Sequence, residues 1–198
     1  MHPNQVFHTA DAAQNLGFAR ETGFGMLCTN GPTAPLTAHV PFILSDDGST
    51  AELHLVRSND IARAAKKPIA AQLLVTGPQS YISPDWYEAA DHVPTWNYVA
   101  VRLTGMLHLR PATEMADLLA RQSAVFEARL APKSPWTADK MTDGIAEKLM
   151  HQIVPMRFVI TAVDGTWKLG QNKPDQARAA AARHVAPHAP ALADLMKR

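Results

Sequence analysis

The run from Asn97 to Leu109 constrains this chain more than any other. Val99, Val101, Leu103, Leu107 and Leu109 fall on one face and Tyr98, Ala100, Arg102, Thr104 and His108 on the other. This two-residue period predicts a long strand with one face buried. A strand of that length needs partners on both sides, so a sheet of several strands has to surround it. The stretch from Pro78 to Gly105, which contains its start, also holds two of the four tryptophans and all three tyrosines. It opens at Gly77-Pro78, a turn signal. A loop rich in proline and aromatic residues ahead of a long strand is either a rigid corner or one wall of a pocket for a flat ligand.

The remaining pattern supplies the partners. Asp11 can cap a short helix through about Arg20. Phe24–Thr29 reads as a strand, and Asn30-Gly31-Pro32 as a turn. From Pro35 to Leu44, Leu36, Ala38, Val40, Phe42 and Leu44 oppose Thr37, His39 and Ile43. Pro41 cannot donate to a ladder, so its position is expected at an edge, bulge or rim. Asp46-Asp47-Gly48 is a hairpin turn, and the chain returns over Ala51 to Arg57. Ser58-Asn59-Asp60 can cap a helix over Ile61 to Lys67, ended by Pro68. The apolar run Ile69–Thr76 reads as a buried strand. A helical face of Met115, Leu118, Leu119, Gln122, Phe126 and Leu130 follows Pro111. Asp139 can cap a helix into Lys148. Met156–Val163 and Thr166–Leu169 read as a hairpin about Asp164-Gly165. Residues 174–184 and 190–197 look helical. The sum is mainly β with helices: six or seven mostly antiparallel strands in a small barrel with peripheral helices.

Bulk properties set limits. The chain has 198 residues, 46% of them hydrophobic and 19% charged, enough for a real core. A formal net charge of +1 gives no bias toward nucleic acid or acidic lipid. The single cysteine, Cys28, forms no internal disulfide, which fits a reducing cytoplasm. The opening MHPNQVFHTADAAQ has no basic, apolar signal-peptide pattern. No apolar run approaches the ~20 residues that span a bilayer.

The motifs YISPDWY (Tyr81–Tyr87), VPTWNYVAV (Val93–Val101), TAHVPFIL (Thr37–Leu44) and WKLGQNKP (Trp167–Pro174) together resemble those of the PaiB-type FMN-binding negative transcriptional regulators. This family belongs to the FMN-binding split-barrel superfamily, whose better-known members include pyridoxamine phosphate oxidases. The resemblance covers roughly residues 1 to 175. It implies a split-barrel domain over 1–175, a helical tail over 176–198 packed on the same domain, and a homodimer that holds FMN in clefts at the subunit interface.

Each candidate residue carries two readings. Arg57, Ser58 and Asn59 lie where a strand leads into a helix, a place suited to a phosphate by its free N–H groups and dipole, or they are a capped turn with a surface arginine. The resemblance favours the phosphate, although related oxidases have Ser-Arg-Lys where this chain has Ser58-Asn59-Asp60. Thr37 and His39 share a strand face. They line the flavin cleft, or they are polar residues on a solvated face, and nothing places an acid beside His39 to make it a base. Asn97, next to Trp96, could read the pyrimidine edge of the flavin or serve the turn chemistry of Thr95-Trp96. Lys168, Gln171 and Asn172 reach a flavin site by resemblance, that of the partner subunit, or they are a polar strand end.

No zinc, dinucleotide or Walker signature occurs, and no catalytic residue is identifiable. The tail pair around Ala186-Pro187-His188-Ala189-Pro190 makes a poor helix-turn-helix. Its second helix carries only Lys197 and Arg198 as cations, so direct DNA binding is not expected. Three readings follow: a flavin-binding regulator, an FMN-dependent oxidoreductase acting on a small substrate, and a flavin-free member of the fold.

Overall fold

A computed structural model describes residues 2–197. Six strands are present among them: β1 (Phe24–Thr29), β2 (Leu36–Leu44), β3 (Thr50–Val56), β4 (Ile69–Ile82), β5 (Thr95–Leu109) and β6 (Ile153–Lys168). They close into a barrel in the order β1-β2-β3-β6-β5-β4. The pairings of β1 with β2 and β4, and of β3 with β2 and β6, are antiparallel. The helices are α1 (Ala12–Thr22), α2 (Asp60–Ala64), α3 (Met115–Ala128), α4 (Ile145–Met150), α5 (Asp175–Val185) and α6 (Pro190–Met196).

Contacts divide the chain into two compact units. The first comprises Met1–Ala19, Val75–Arg102 and Val163–Arg198, the second Arg20–Leu74 and Leu103–Ala162. In the second unit Leu27, Val40, Phe42, Leu53, Leu73, Leu103, Met156 and Phe158 are all buried. They are the inward positions of strands whose outward positions stay accessible, as in β2 and β3. Pro41 opposes Phe24 on β1, whereas pairing of β2 with β3 begins only at Phe42–Leu53. Its missing N–H therefore faces the side where the ladder has not started, as expected of a rim position.

In the first unit the C-terminal helices pack inward. Ala177, Ala181, Ala182 and Val185 of α5 meet Leu192, Ala193 and Met196 of α6, with Ile82 and Tyr87 in the same cluster. Alanines let the two helix backbones come close, which is why this short tail can bury so much of itself.

Several expected breaks are continuous structure. Gly77-Pro78 is not a turn but lies inside β4, which runs on to Ile82. A Cβ on Gly77 would lie 2.6 Å from Phe18 Cζ and 3.0 Å from Val99 Cβ, so glycine is required there by packing. Asp164-Gly165 is not a hairpin either: β6 runs unbroken from Ile153 to Lys168. Gly165 has no positive φ. Instead a Cβ there would sit 2.0 Å from Asn15 Oδ1, while the Asp164 carboxylate pairs with His8 at 3.2 Å and Arg102 at 2.8 Å. Gly77-Pro78 reflects a close approach, and Asp164-Gly165 a close approach and an ion pair, rather than reversal of the chain.

Smaller corrections have local causes. The strand after Pro68 alternates in burial rather than being buried throughout. Helix α2 stops at Ala64, short of Lys67. Asp139 lies in a short 3-10 turn, Ala138–Lys140, and Gly144 with φ 77° precedes α4 instead. Leu130 lies beyond α3 and is exposed.

Candidate functional site

The ten candidate residues fall five to each unit. In the second unit, Thr37 and His39 occupy outward positions of β2 and are exposed. The His39 ring stacks on Phe24 with centroids 6.2 Å apart and planes 19° from parallel. Phe24 itself is 51% exposed, so an aromatic pair faces solvent beside the Thr37 hydroxyl.

Arg57 follows β3, and its guanidinium is partly committed. Nε donates to His151 O at 3.1 Å and Nη2 to Ile153 O at 3.3 Å, which pins the residue against the start of β6. Asn59 is a helix cap: its Oδ1 accepts from Ile61 N at 2.9 Å. Asp60 pairs with Arg63 at 3.3 Å. The groups left to face a ligand are therefore the Ser58 hydroxyl and the unused N–H groups of Arg57, both exposed.

In the first unit, Trp96 is 49% exposed. Its Nε1 donates to Gln79 Oε1 at 3.1 Å, and its ring meets Tyr81 edge-on at 6.3 Å. This makes a held aromatic platform. Asn97, one position on, faces inward and is 1% exposed. Its Nδ2 donates to Met196 Sδ at 3.6 Å, and its Oδ1 is buried without a partner.

Lys168 ends β6. Its Nζ donates to Thr95 Oγ1 at 2.5 Å and lies 5.9 Å from the centre of the Phe7 ring. The loop that follows turns through Gly170 at φ +89°. Gln171 braces this loop: its Oε1 accepts from Leu169 N at 2.8 Å and its Nε2 donates to Trp167 O at 2.5 Å. Asn172 is exposed. Lys173 closes the loop, with Nζ 3.1 Å from His92 Nδ1 and 5.2 Å from the centre of the Tyr87 ring. Burial, together with the charge of Lys173, holds the Lys168 pKa below the ordinary lysine value. Among the described residues neither lysine has a carboxylate within ion-pair distance.

Tyr87 and Lys173 lie inside the YISPDWY and WKLGQNKP motifs, yet neither they nor His92 stand among the candidate site residues; the buried Tyr87 Oη has no partner. A signal for Lys173 was present: WKLGQNKP carries two lysines and no acid. His92 and Tyr87 come from a distant loop, and nothing in their spacing ties them to it.

Each unit by itself carries groups that suit part of a phosphorylated flavin. Two uncompensated lysines leave room for an anion. The Trp96–Tyr81 and Phe24–His39 pairs offer flat apolar faces, and hydroxyl and guanidinium groups can meet phosphate or ring carbonyl oxygens. The residues present thus fit FMN. They do not fit a metal: among the described residues no group of three or more His, Cys, Asp or Glu could hold one.

Comparison with known proteins agrees. Residues 1–162 match the family described as "Putative FMN-binding domain". Protease synthase and sporulation protein PAI 2 of Bacillus subtilis (strain 168) is 27% identical over 175 residues, 87% of this chain and 83% of that protein. Among solved structures, the FAD and heme binding protein from Mycobacterium smegmatis superposes with a TM-score of 0.59 at 12% identity, over 83% of this chain and 74% of that one. The flavocytochrome Anf3 from Azotobacter vinelandii gives 0.58 at 13% identity, over 86% and 73%. At such identities the structural likeness speaks for the split-barrel fold. The family match speaks for the cofactor: this chain belongs to the FMN-binding domain family, with FMN as its cofactor and a split barrel as its fold.

Proposed function

We propose that the protein works as a homodimer holding FMN at its subunit interface, and that it serves a regulatory role like that implied for PaiB-type proteins. The observation that carries this reading is the Lys168–Lys173 pair, two like charges in one loop with no acid to balance them. An anionic cofactor relieves that repulsion. Thr37, His39, Arg57 and Ser58 offer donors from one copy, and the Lys168–Lys173 loop serves the site of the other. Asn59 and Gln171 contribute by holding their own loops in shape. Trp96 gives the ring a face. Asn97 keeps an unspent acceptor at the base of the loop, its Nδ2 3.7 Å from where a Cβ on Gly170 would stand. Bound FMN supplies the redox chemistry, and the protein supplies orientation and exclusion of water.

A regulatory effect, in this reading, does not come from direct DNA contact. Arg178, Arg183 and Lys197 in the tail pair with Asp175, Glu88 and Asp194 at 3.2, 3.3 and 3.0 Å. Arg198 lies outside the described residues. Leu192, Ala193 and Met196 turn α6 into the core, and Lys197, which follows it, is paired with Asp194. The tail over 176–198 then acts as part of the same functional domain as 1–175. A cytoplasmic location agrees with the single free cysteine. Among the described residues no helix is long and apolar enough to cross a membrane.

One observation favours a second reading, an FMN-dependent oxidoreductase. An amine whose pKa is held below the ordinary lysine value beside a flavin gives up its proton more readily than a free lysine. Mixing the loaded protein with NADH or NADPH under anaerobic stopped flow separates the two: bleaching slowed by Lys168→Ala supports an enzyme, and no bleaching with either donor removes it.

Light scattering with simultaneous absorbance tests the main reading. Loaded protein is expected to run as a dimer with one FMN per chain. A stable monomer at micromolar concentration, with or without flavin, would contradict the shared site.

A further inference from the structure

The second unit contains a cavity of about 680 Å³ that none of the candidate flavin residues lines. One wall is α3, which uses two faces. Met115, Leu118 and Gln122 are buried, while Ala116, Ala120 and Ala124, spaced a turn apart, border the cavity. Any larger apolar residue at those three positions would fill part of the space. The opposite wall brings Trp136, Met141 and Leu149, and Val56 borders the space from the end of β3. Trp136, Leu149 and Val56 are left 40%, 49% and 55% exposed.

No Asp, Glu, Lys, Arg or His side chain lines the cavity, and its polar lining is limited to Ser123, Thr137 and Gln152. A charged guest would lose its hydration there without a counter-charge. A neutral, mostly apolar one gains contact with the alanine wall, the indole and an adaptable methionine. The volume lies within the roughly 300–1,000 Å³ typical of small-molecule pockets.

We propose that this cavity is a second binding site, separate from the flavin site, for a small neutral apolar molecule carrying one or two hydrogen-bonding groups. Its walls come from four segments of one chain: the end of β3, α3, the stretch from Pro135 to Met141, and α4 into the start of β6. A single chain thus builds the concave shape without help from a second copy. The alanine face keeps it open, and Trp136 reports on occupancy.

The test uses full-length protein and the neutral fluorophore N-phenyl-1-naphthylamine, with the anionic 1-anilinonaphthalene-8-sulfonate as its charged counterpart. The neutral probe is expected to bind saturably, one per chain, at least tenfold tighter than the anionic one, and to shift Trp136 emission. Ala120→Leu combined with Ala124→Leu should weaken binding tenfold or more without lowering the melting temperature. If that variant misfolds, Trp136→Phe decides: the neutral probe should still bind while the tryptophan response disappears. The proposal is overturned by absence of saturable binding, by equal binding to a folded Ala120→Leu/Ala124→Leu variant, or by a tryptophan response that survives Trp136→Phe. It is also overturned if FMN displaces the probe, since the cavity is then part of the flavin site, or if binding falls as the protein self-associates, since a second copy then fills it.

Discussion

Trp167 Nε1 donates a 2.8 Å hydrogen bond to Asn15 Oδ1, with both residues buried and Gly165 pressed against the same amide. Phe18 meets the Trp167 ring edge-on at 5.5 Å. A polar residue in α1 thus locks the end of β6, and Lys168 is the next residue along. The position of the basic loop depends on this lock.

Asn15→Ala should therefore cost about 1–3 kcal/mol, since it leaves a buried indole N–H without an acceptor. Gly165→Ala should cost a similar amount by overpacking, its Cβ falling 2.0 Å from Asn15 Oδ1. The Asn15→Ala/Gly165→Ala pair should be less than additive, because the first change makes room for the second. Urea unfolding of the four proteins checks this, and strict additivity would argue against a shared lock.

His54 on β3 and Gln122 on α3 give a pH dependence. His54 Nδ1 and Gln122 Nε2 are both buried without a hydrogen-bond partner. Burial lowers the His54 pKa from its ordinary 6.5. With the folded value below the unfolded one, the unfolded chain binds the extra proton first. The contribution of His54 is intact above about pH 6.5 and is lost as pH falls through its lowered folded value. His54→Leu with Gln122→Leu should flatten that part of the acid limb and leave stability near neutrality little changed. Denaturant midpoints between pH 7.5 and 5 measure the slope.

Much of this architecture was legible from period alone. The outward placement of Thr37 and His39 and the rim position of Pro41 follow from alternation and from the missing proline donor. The failures share one cause. Gly77-Pro78 and Asp164-Gly165 have turn chemistry, but their glycines answer to Phe18 and Asn15, partners far away in sequence. The same limit applies at the site. Asn59 and Gln171 had the right polarity, yet their side chains are spent on local backbone. Lys173, His92 and Tyr87 come together only through the fold.

If the regulatory role is indirect, DNA affinity should be weak and non-specific. A repressor that neutralises several phosphates loses orders of magnitude in affinity between roughly 50 and 200 mM salt. With a net charge of +1 and the tail cations Arg178, Arg183 and Lys197 already paired, this chain has few to offer. Fluorescence anisotropy on promoter-length duplexes should show no specific complex at physiological salt. A tight, sequence-dependent complex there would reverse this view.

Donors that seek the phosphate of FMN should separate FMN from riboflavin, and paired titrations with the two flavins measure that difference. Wild-type protein should quench FMN fluorescence with micromolar or tighter affinity, about −8 kcal/mol or better, and bind riboflavin more weakly. Replacing Lys168 and Lys173 with alanine should weaken FMN about tenfold to a hundredfold, the worth of one or two charge-assisted hydrogen bonds, and leave riboflavin almost unchanged. FMN affinity should also fall at alkaline pH below the ordinary lysine range, because Lys168 loses its proton early. Absence of quenching by folded protein would rule out FMN binding, and equal loss of both flavins in the double variant would rule out a phosphate-directed role for the two lysines.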